Sequence, residues 1–508
     1  MKRIIQANVF FLILLFLLAC NNNRARQTFL ASSPEAQGVS TESILAFLDA
    51  AEASSVEVHS FMYLRHGKVI AQGWWYPYQS DLRHTMYSVS KSFVSTAIGL
   101  AVDEGLITVD DKVISFFSEE LPDTISPNLA ELKIKDLLTM RAGNSRDYQR
   151  DITYEKTDWI KEYLAVSFDY EPGTRFAYNS MASYTLSAIV QKVTGKKTID
   201  YLTERLFIPM HIVGADWEID PKGINTGGWG LRLKTEDLAK VGQLYLQKGV
   251  WDGNQLISSD WVEEATRKSV DMGERGGYGY QFWQTAQNGY MAFGAMGQHF
   301  IVLPDQDAVL VFTAEDANDR QEIVKLAFEH LLPGIKADKL PENGLQMDIL
   351  KDRLDNLALP LPAKAVTMPL DSCLNGKTYS MAENENSIES VTFYFANQVC
   401  KLKIIEAGKS YPLSFGNGEW VFGETSKPGP NLTDKAINHF ATLSSEKVAG
   451  SYTWKNPNTI ELTLRYIESP HHELYTFGFD GETITLQKRI SYRNEQDLPI
   501  LAGILQPD

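Results

Sequence analysis

Thr85-Met86-Tyr87-Ser88-Val89-Ser90-Lys91-Ser92-Phe93-Val94 is the stretch on which the fold and chemistry of this chain turn. Its first residues favour an extended backbone. After Ser88 the pattern becomes helical, with Ala97, Leu100, Ala101 and Val102 continuing an apolar face and Gly105 as the stop. A helix beginning near Ser88 puts Ser88 and Lys91 three residues apart on one face. Ser88 then lies at the positive end of the helix dipole, where an oxyanion is favoured. A serine hydroxyl becomes nucleophilic when a neighbouring base takes its proton, and a desolvated, neutral lysine can be that base. A Ser N-cap followed by a solvated Lys fits the same letters, so Ser-x-x-Lys alone does not separate catalysis from capping.

Outward from this stretch, Ser60–Leu64 and Val69–Ala71 flank Arg65-His66-Gly67-Lys68 and predict a β-hairpin. Helical spacing runs from Ser40 to Ala53 through Ile44, Leu45, Phe47, Leu48 and Ala51. Residues 108–147 are irregular apart from a helix at Ile134–Met140. Further helices are predicted over Thr198–Leu206, Thr235–Gln247 and Asp260–Arg267. Strands follow at Tyr278–Trp283, Gly289–Ala292, His299–Leu303 and Ala308–Thr313, then a closing helix at Asp319–Leu332. With a hairpin first, helices in the middle and strands last, both ends of this region share one antiparallel sheet.

From Pro333 the composition shifts, and 334–369 is expected to be a linker. Beyond it, period-two strands at Ser390–Phe395, Val399–Ile404, Thr459–Tyr466, Glu473–Phe477 and Thr483–Gln487 predict a separate all-β domain over 370–508, a small barrel or sandwich. Gly416-Asn417-Gly418 and Asp480-Gly481 mark turns. His471-His472 is expected at the surface of this domain, its two side chains on opposite faces of a strand. The chain has no internal repeat.

At 508 residues the length suits two or three domains, and 44% hydrophobic with 22% charged residues is ordinary for a globular protein. A formal charge of −16 argues against nucleic acid as a partner, because phosphate binding needs basic surface. Lys2 and Arg3 precede an apolar run from Val9 to Ala19, the shape of a secretory signal too short for a spanning helix. Leu17-Leu18-Ala19-Cys20 followed by Asn21-Asn22-Asn23 resembles a bacterial lipoprotein signal. On that resemblance residues 1–20 are removed or lipidated at Cys20, and 21–37 form a polar tether. The protein is then held by lipid in the bacterial cell envelope, at the periplasmic face or outer membrane. Cys373 and Cys400 could pair in such a compartment, or remain two buried thiols.

A Ser-Lys catalyst needs a second proton carrier and an oxyanion hole. Glu171-Pro172-Gly173-Thr174-Arg175-Phe176-Ala177-Tyr178-Asn179-Ser180 brings Tyr178 onto a loop just before a helix at Ser183–Val193, although most of the 22 tyrosines simply pack their rings. Ala292-Phe293-Gly294-Ala295-Met296-Gly297-Gln298 carries two glycines at a strand edge. They suit a β-bulge or hairpin bend, or a place where a substrate carbonyl meets backbone. There is no Gly-x-Ser-x-Gly elbow, no His-Glu-x-x-His and no Cys-x-x-Cys, so neither metal nor cofactor is expected.

Ser-x-x-Lys, then Tyr about ninety residues later, then a Gly-rich strand near residue 294: this order resembles the serine β-lactamase and penicillin-binding-protein superfamily. Within it the sequence resembles the class C β-lactamases and the related esterases and 6-aminohexanoate-dimer hydrolases. Leu137-Leu138-Thr139-Met140-Arg141-Ala142-Gly143, Glu171-Pro172-Gly173-Thr174, Gly228-Trp229-Gly230-Leu231-Arg232-Leu233 and Tyr278-Gly279-Tyr280-Gln281 are similar too. The resemblance covers about 38–333 and implies an α+β fold, a transpeptidase-like antiparallel sheet flanked by helices with a helical subdomain. It implies Ser88 as the acylated nucleophile, with Lys91 and Tyr178 as general base and acid. Backbone amides of Ser88 and Ala295 would form the oxyanion hole, and Asn179, Ser180, Gly294 and Gly297 would wall the substrate. Two departures stand out. The Asn expected two residues after the Tyr is Ser180 here, with Asn179 one place early, and Lys-Thr-Gly is replaced by Ala292-Phe293-Gly294. Both weaken β-lactam and D-Ala-D-Ala chemistry and leave acyl transfer on a small ester or amide. The alternatives are a D-amino-acid peptidase or carboxypeptidase on cell-wall peptides, and a sensor that keeps the fold without turnover. The expected partners are a small-molecule or peptide-like substrate and the membrane. Nothing in the residues points to an oligomeric state.

Overall fold

His66 and Gly67 both take positive φ, 50° and 68°, which makes the two-residue turn that right-twisted strands prefer. It joins Glu57–Arg65 to Lys68–Trp74, with Arg65 opposite Lys68 as the hairpin predicts. The computed structural model describes residues 29–273, 276–317, 321–364, 370–437, 439–440, 442–493 and 498–507. Cys20, the 1–20 signal and the start of the 21–37 tether lie outside the described residues.

The first sheet runs Leu30–Ala31, Lys68–Trp74, Glu57–Arg65, Ala308–Glu315, Gln298–Leu303, Tyr290–Gly294, Trp283–Gln284, Gly277–Tyr278 and Val270–Asp271. It is antiparallel except at its edge, where Leu30 and Ala31 lie parallel to Lys68 and Val69. The hairpin and the late strand pair directly, Tyr63 opposite Leu310, so the two ends of the region do share one sheet. Helices Thr41–Ala53 and Glu322–His330 cover one face through Phe47, Phe61, Phe312 and Leu326. Ser90–Asp103 and Thr235–Leu246 cover the other, through Phe93, Leu244, Phe300 and Val309. Every residue from Ser90 to Ala101 is buried, as befits a helix enclosed on all sides between the sheet and the helical subdomain.

The helix does not begin at Ser88. Tyr87–Val89 form a 3-10 turn, Tyr87 has φ +46°, and the α-helix starts at Ser90. Gly105 closes it in the left-handed region, φ +70°, as expected.

The second sheet has ten strands, nine of which form a closed barrel. Glu446–Asn456 makes the closure: its first half pairs with Val421–Thr425, while Ser451 and Tyr452 run parallel to Gly416 and Asn417. Alternating Val391, Phe393, Leu402, Ile404, Leu462, Tyr475 and Phe477 fill its interior. The outcome is the barrel rather than the sandwich. Cys373 is exposed and Cys400 buried, and no disulfide joins them.

Three expectations need correcting. The tether stops short of residue 37, because Leu30–Ala31 joins the sheet and the buried Glu35 carboxylate accepts the Thr41 N–H at 2.9 Å. Much of the 334–369 linker is folded: Gly344–Asp355 is a helix against Thr41–Ala53, and Leu350, Leu357 and Leu359 are buried in that domain's core. The barrel is a domain of its own, as expected, and it packs against the first. Its Trp420, Ala449 and Ile467 are buried in the same apolar cluster as Trp75 and Leu357. Around them Arg465 pairs with Glu57, and Arg83 bridges Asp216 at 2.6 Å and Glu468 at 3.0 Å. Arg232, almost wholly buried, faces Asp216 and Glu446. His471, expected at the surface, is fully buried in this interface.

Candidate active site

Lys91 is the centre of the site because the helix Ser90–Asp103 is buried all round, so a lysine on its first turn is desolvated. Its Nζ donates to the Gly228 carbonyl at 2.6 Å and to Ser88 Oγ at 3.0 Å, and reaches Ser180 Oγ at 3.4 Å. Burial pulls the amine down from its usual 10.5 to about 7, with the Asp147 carboxylate pulling the other way. Near neutral pH a sizeable fraction of Lys91 therefore carries a free lone pair beside the Ser88 hydroxyl. Ser88 itself is half-buried and open to a cavity of about 150 Å³.

One side of that cavity is lined by Tyr87, Ser88, Ser180, Gly228, Trp229 and Ala295. Ala295 is brought there by its neighbour Gly294. A Cβ on Gly294 would fall 2.3 Å from the Met86 carbonyl oxygen, so only glycine lets the strand Tyr290–Gly294 press against the turn that carries Ser88. Gly294 thus packs against the Met86 backbone. Gly297 is likewise a turn residue, φ +93°, with Ala314 where its side chain would be.

Asn179 is no substrate wall. Its side chain caps the helix Ser180–Thr194, accepting from Met181 N at 2.9 Å and Ala182 N at 3.2 Å, and it donates to Asn144 Oδ1 at 2.8 Å. That cap fixes Ser180 at the first helical position, where its N–H donates to Asp147 at 2.8 Å and its hydroxyl faces Lys91. Tyr178 is half-buried, with its ring centroid 4.9 Å from Lys91 Nζ and 5.9 Å from the Trp283 ring.

Sequence reasoning missed Asp147, Gly228 and the whole second wall. Gly227-Gly228-Trp229-Gly230 carried a signal. A Cβ on Gly228 would lie 2.8 Å from the Ser180 carbonyl oxygen, the sort of close backbone approach that clustered glycines announce. The second wall had none. It consists of Gln149 and Arg150 from the helical subdomain and of Leu432 and Thr433 from the barrel.

A family model described as Beta-lactamase matches residues 49–331. The chain is 27% identical over 280 residues to the 6-aminohexanoate-dimer hydrolase of Paenarthrobacter ureafaciens, covering 50% of this chain and 71% of that protein. Among solved structures it is similar to an octameric penicillin-binding protein homologue from Pyrococcus abyssi. That likeness has 14% identity and a TM-score of 0.47, and covers 91% of this chain and 99% of the other. It is also similar to a family VIII carboxylesterase, with 15% identity, a TM-score of 0.45, and coverage of 64% and 98%. The family match spans more than half of the sequence and takes in Ser88, Lys91, Tyr178 and Ala295, so the chain belongs to the Beta-lactamase family.

Proposed function

We propose that this protein hydrolyses a small ester or amide through an acyl-enzyme on Ser88. The observation that carries this is the buried Lys91 amine, lowered to about 7 and 3.0 Å from the Ser88 hydroxyl. Lys91 takes the Ser88 proton as Oγ attacks the substrate carbonyl carbon, and the backbone N–H groups of Ser88 and Ala295 receive the developing oxyanion. The proton then passes to the leaving group, with Tyr178 beside Lys91 as the second carrier. Water, activated by the same pair, attacks the acyl carbon and frees Ser88. Nucleophile, base and oxyanion donors all come from the chain, so this cycle calls for no cofactor. The 6-aminohexanoate-dimer hydrolase relative favours an amide; the carboxylesterase likeness adds nothing to that choice.

The N-terminal pattern supports an envelope protein lipidated at Cys20, and intact mass of the membrane-extracted protein tests it: an unmodified Cys20 ends that part. For the chemistry, purified protein is assayed with p-nitrophenyl esters and 6-aminohexanoate-type amides beside a Ser88→Ala variant. Turnover is expected to fall by roughly four orders of magnitude, with a mass adduct on Ser88 of the wild-type protein only. Equal turnover in the variant would remove Ser88 from the mechanism.

A further inference from the structure

We propose that Leu432 and Thr433 of the barrel set the size of the substrate group accepted beside Ser88, which makes the barrel a specificity-determining wall of the active site. This rests on the acyl-enzyme function proposed above and assigns it a substrate class, esters or amides with a short group on that side.

The wall is built into the fold. Leu432 is half-buried and belongs to none of the apolar clusters of the described residues, so core packing does not account for it. Its segment is pinned to the catalytic domain from several directions. Ile437 N–H donates to the Thr153 carbonyl at 2.7 Å, His439 lies 3.1 Å from Glu218, and the Thr442 hydroxyl donates to the Trp217 carbonyl at 3.0 Å. The cavity it lines, about 150 Å³, is well below the roughly 300 Å³ at which sites for drug-sized ligands begin.

A buried hydrogen-bonded chain sets the wall's distance from the nucleophile. The Leu432 N–H donates to the Tyr87 hydroxyl at 3.4 Å, and Tyr87 immediately precedes Ser88. The Tyr87 hydroxyl lies 2.5 Å from His471 Nε2, and His471 Nδ1 lies 2.7 Å from Glu315. An ionised Glu315 can only accept, so Nδ1 carries the proton, Nε2 accepts, and Tyr87 donates to it. Each group has one role, and the chain runs from the barrel through the nucleophile turn into the main sheet. His471 and Glu315 act through Tyr87; they are positioning residues.

The test is the ratio of kcat/KM for p-nitrophenyl octanoate to that for p-nitrophenyl acetate. Leu432→Ala is expected to raise it at least tenfold, since a methylene in a pocket is worth about 10- to 200-fold, and Leu432→Phe to lower it. His471→Ala is expected to move the ratio toward the Leu432→Ala value, and His471→Gln, which keeps an acceptor, to restore it; a purely structural histidine would change Tm and leave the ratio alone. A ratio constant within twofold in both Leu432 variants, with acetate turnover still dependent on Ser88, overturns the wall and leaves the hydrolase. Acetate turnover that survives Ser88→Ala overturns both.

Discussion

Two sets of residues surround Ser88: Lys91 with Ser180 and the Gly228 carbonyl, and Leu432 with Thr433 from the barrel. The first set mixes ranges: Ser88 and Lys91 are three residues apart, while Ser180 and Gly228 reach Lys91 from 89 and 137 positions away. The second is held across 345 positions of sequence, through one hydrogen bond to Tyr87 and a buried histidine. The Ser88–Lys91 contact rests on short-range geometry, which tolerates little error. The proposed selection rests on a second domain, which is tied to the turn carrying Ser88 through Tyr87 and His471.

The largest expected effect tests the first set. Lys91→Met should lower kcat roughly a thousandfold or more and also raise Tm. The sign follows from linkage: Lys91 titrates at about 7 folded against 10.5 unfolded, so its burial destabilises the fold fully below pH 7. That cost fades as pH rises toward 10.5. Removing the amine returns about 4 kcal/mol at pH 7, less about 1–3 kcal/mol for the Gly228 carbonyl left unpaired. Calorimetry showing a lower Tm at pH 7 would contradict a catalytic, stability-costing lysine.

Next comes the joint between the two halves. Arg465→Leu removes the guanidinium from Glu57 and leaves it only the His59 contact at 3.1 Å in a partly buried place, which costs about 3 kcal/mol. Urea unfolding followed by fluorescence is expected to show one transition at a lower midpoint. Two separated transitions in the wild-type protein would mean that barrel and catalytic domain fold independently, and would dissolve the contrast between the two walls.

Asn179→Ala is a smaller change. Losing the cap and the Asn144 contact should cost about 2 kcal/mol of stability while KM for p-nitrophenyl acetate moves less than twofold, because Asn179 is fully buried behind Ser180. A large rise in KM would return it to the substrate wall. Smallest of all is a shift in the pH profile. Activity should rise through a limb near pH 7 as Lys91 loses its proton. Asp147→Asn removes the charge that favours the ammonium, so the limb should move to lower pH, while the Asn carbonyl still accepts the Ser180 N–H. A limb that stays in place would separate Asp147 from Lys91.

Much of this was legible. Period-two patterns gave the barrel strands, and the hairpin turn and the late strands gave the main sheet, because alternation and turn chemistry are local. The helix start was misplaced by two residues, since Tyr87 takes φ +46° in a turn anchored by His471, 384 positions away. Asn179 was misplaced because a cap and a substrate contact use the same side-chain amide, and only the position of Met181 N and Ala182 N tells them apart. Arg83, Arg232, Arg465 and Glu468 look like solvated surface in a sequence, and become an interface only when opposite charges from two domains meet.

By itself the sequence determined the family and the two sheets, and it set Ser88 and Lys91 three residues apart, because each of these depends on spacings of a few residues or on a repeating pattern. Tertiary structure alone decided that the Lys91 amine is buried, which lowers it from its usual range, and that barrel residues line the cavity. Desolvation and wall placement are sums over residues from the whole chain, and no single stretch contains them.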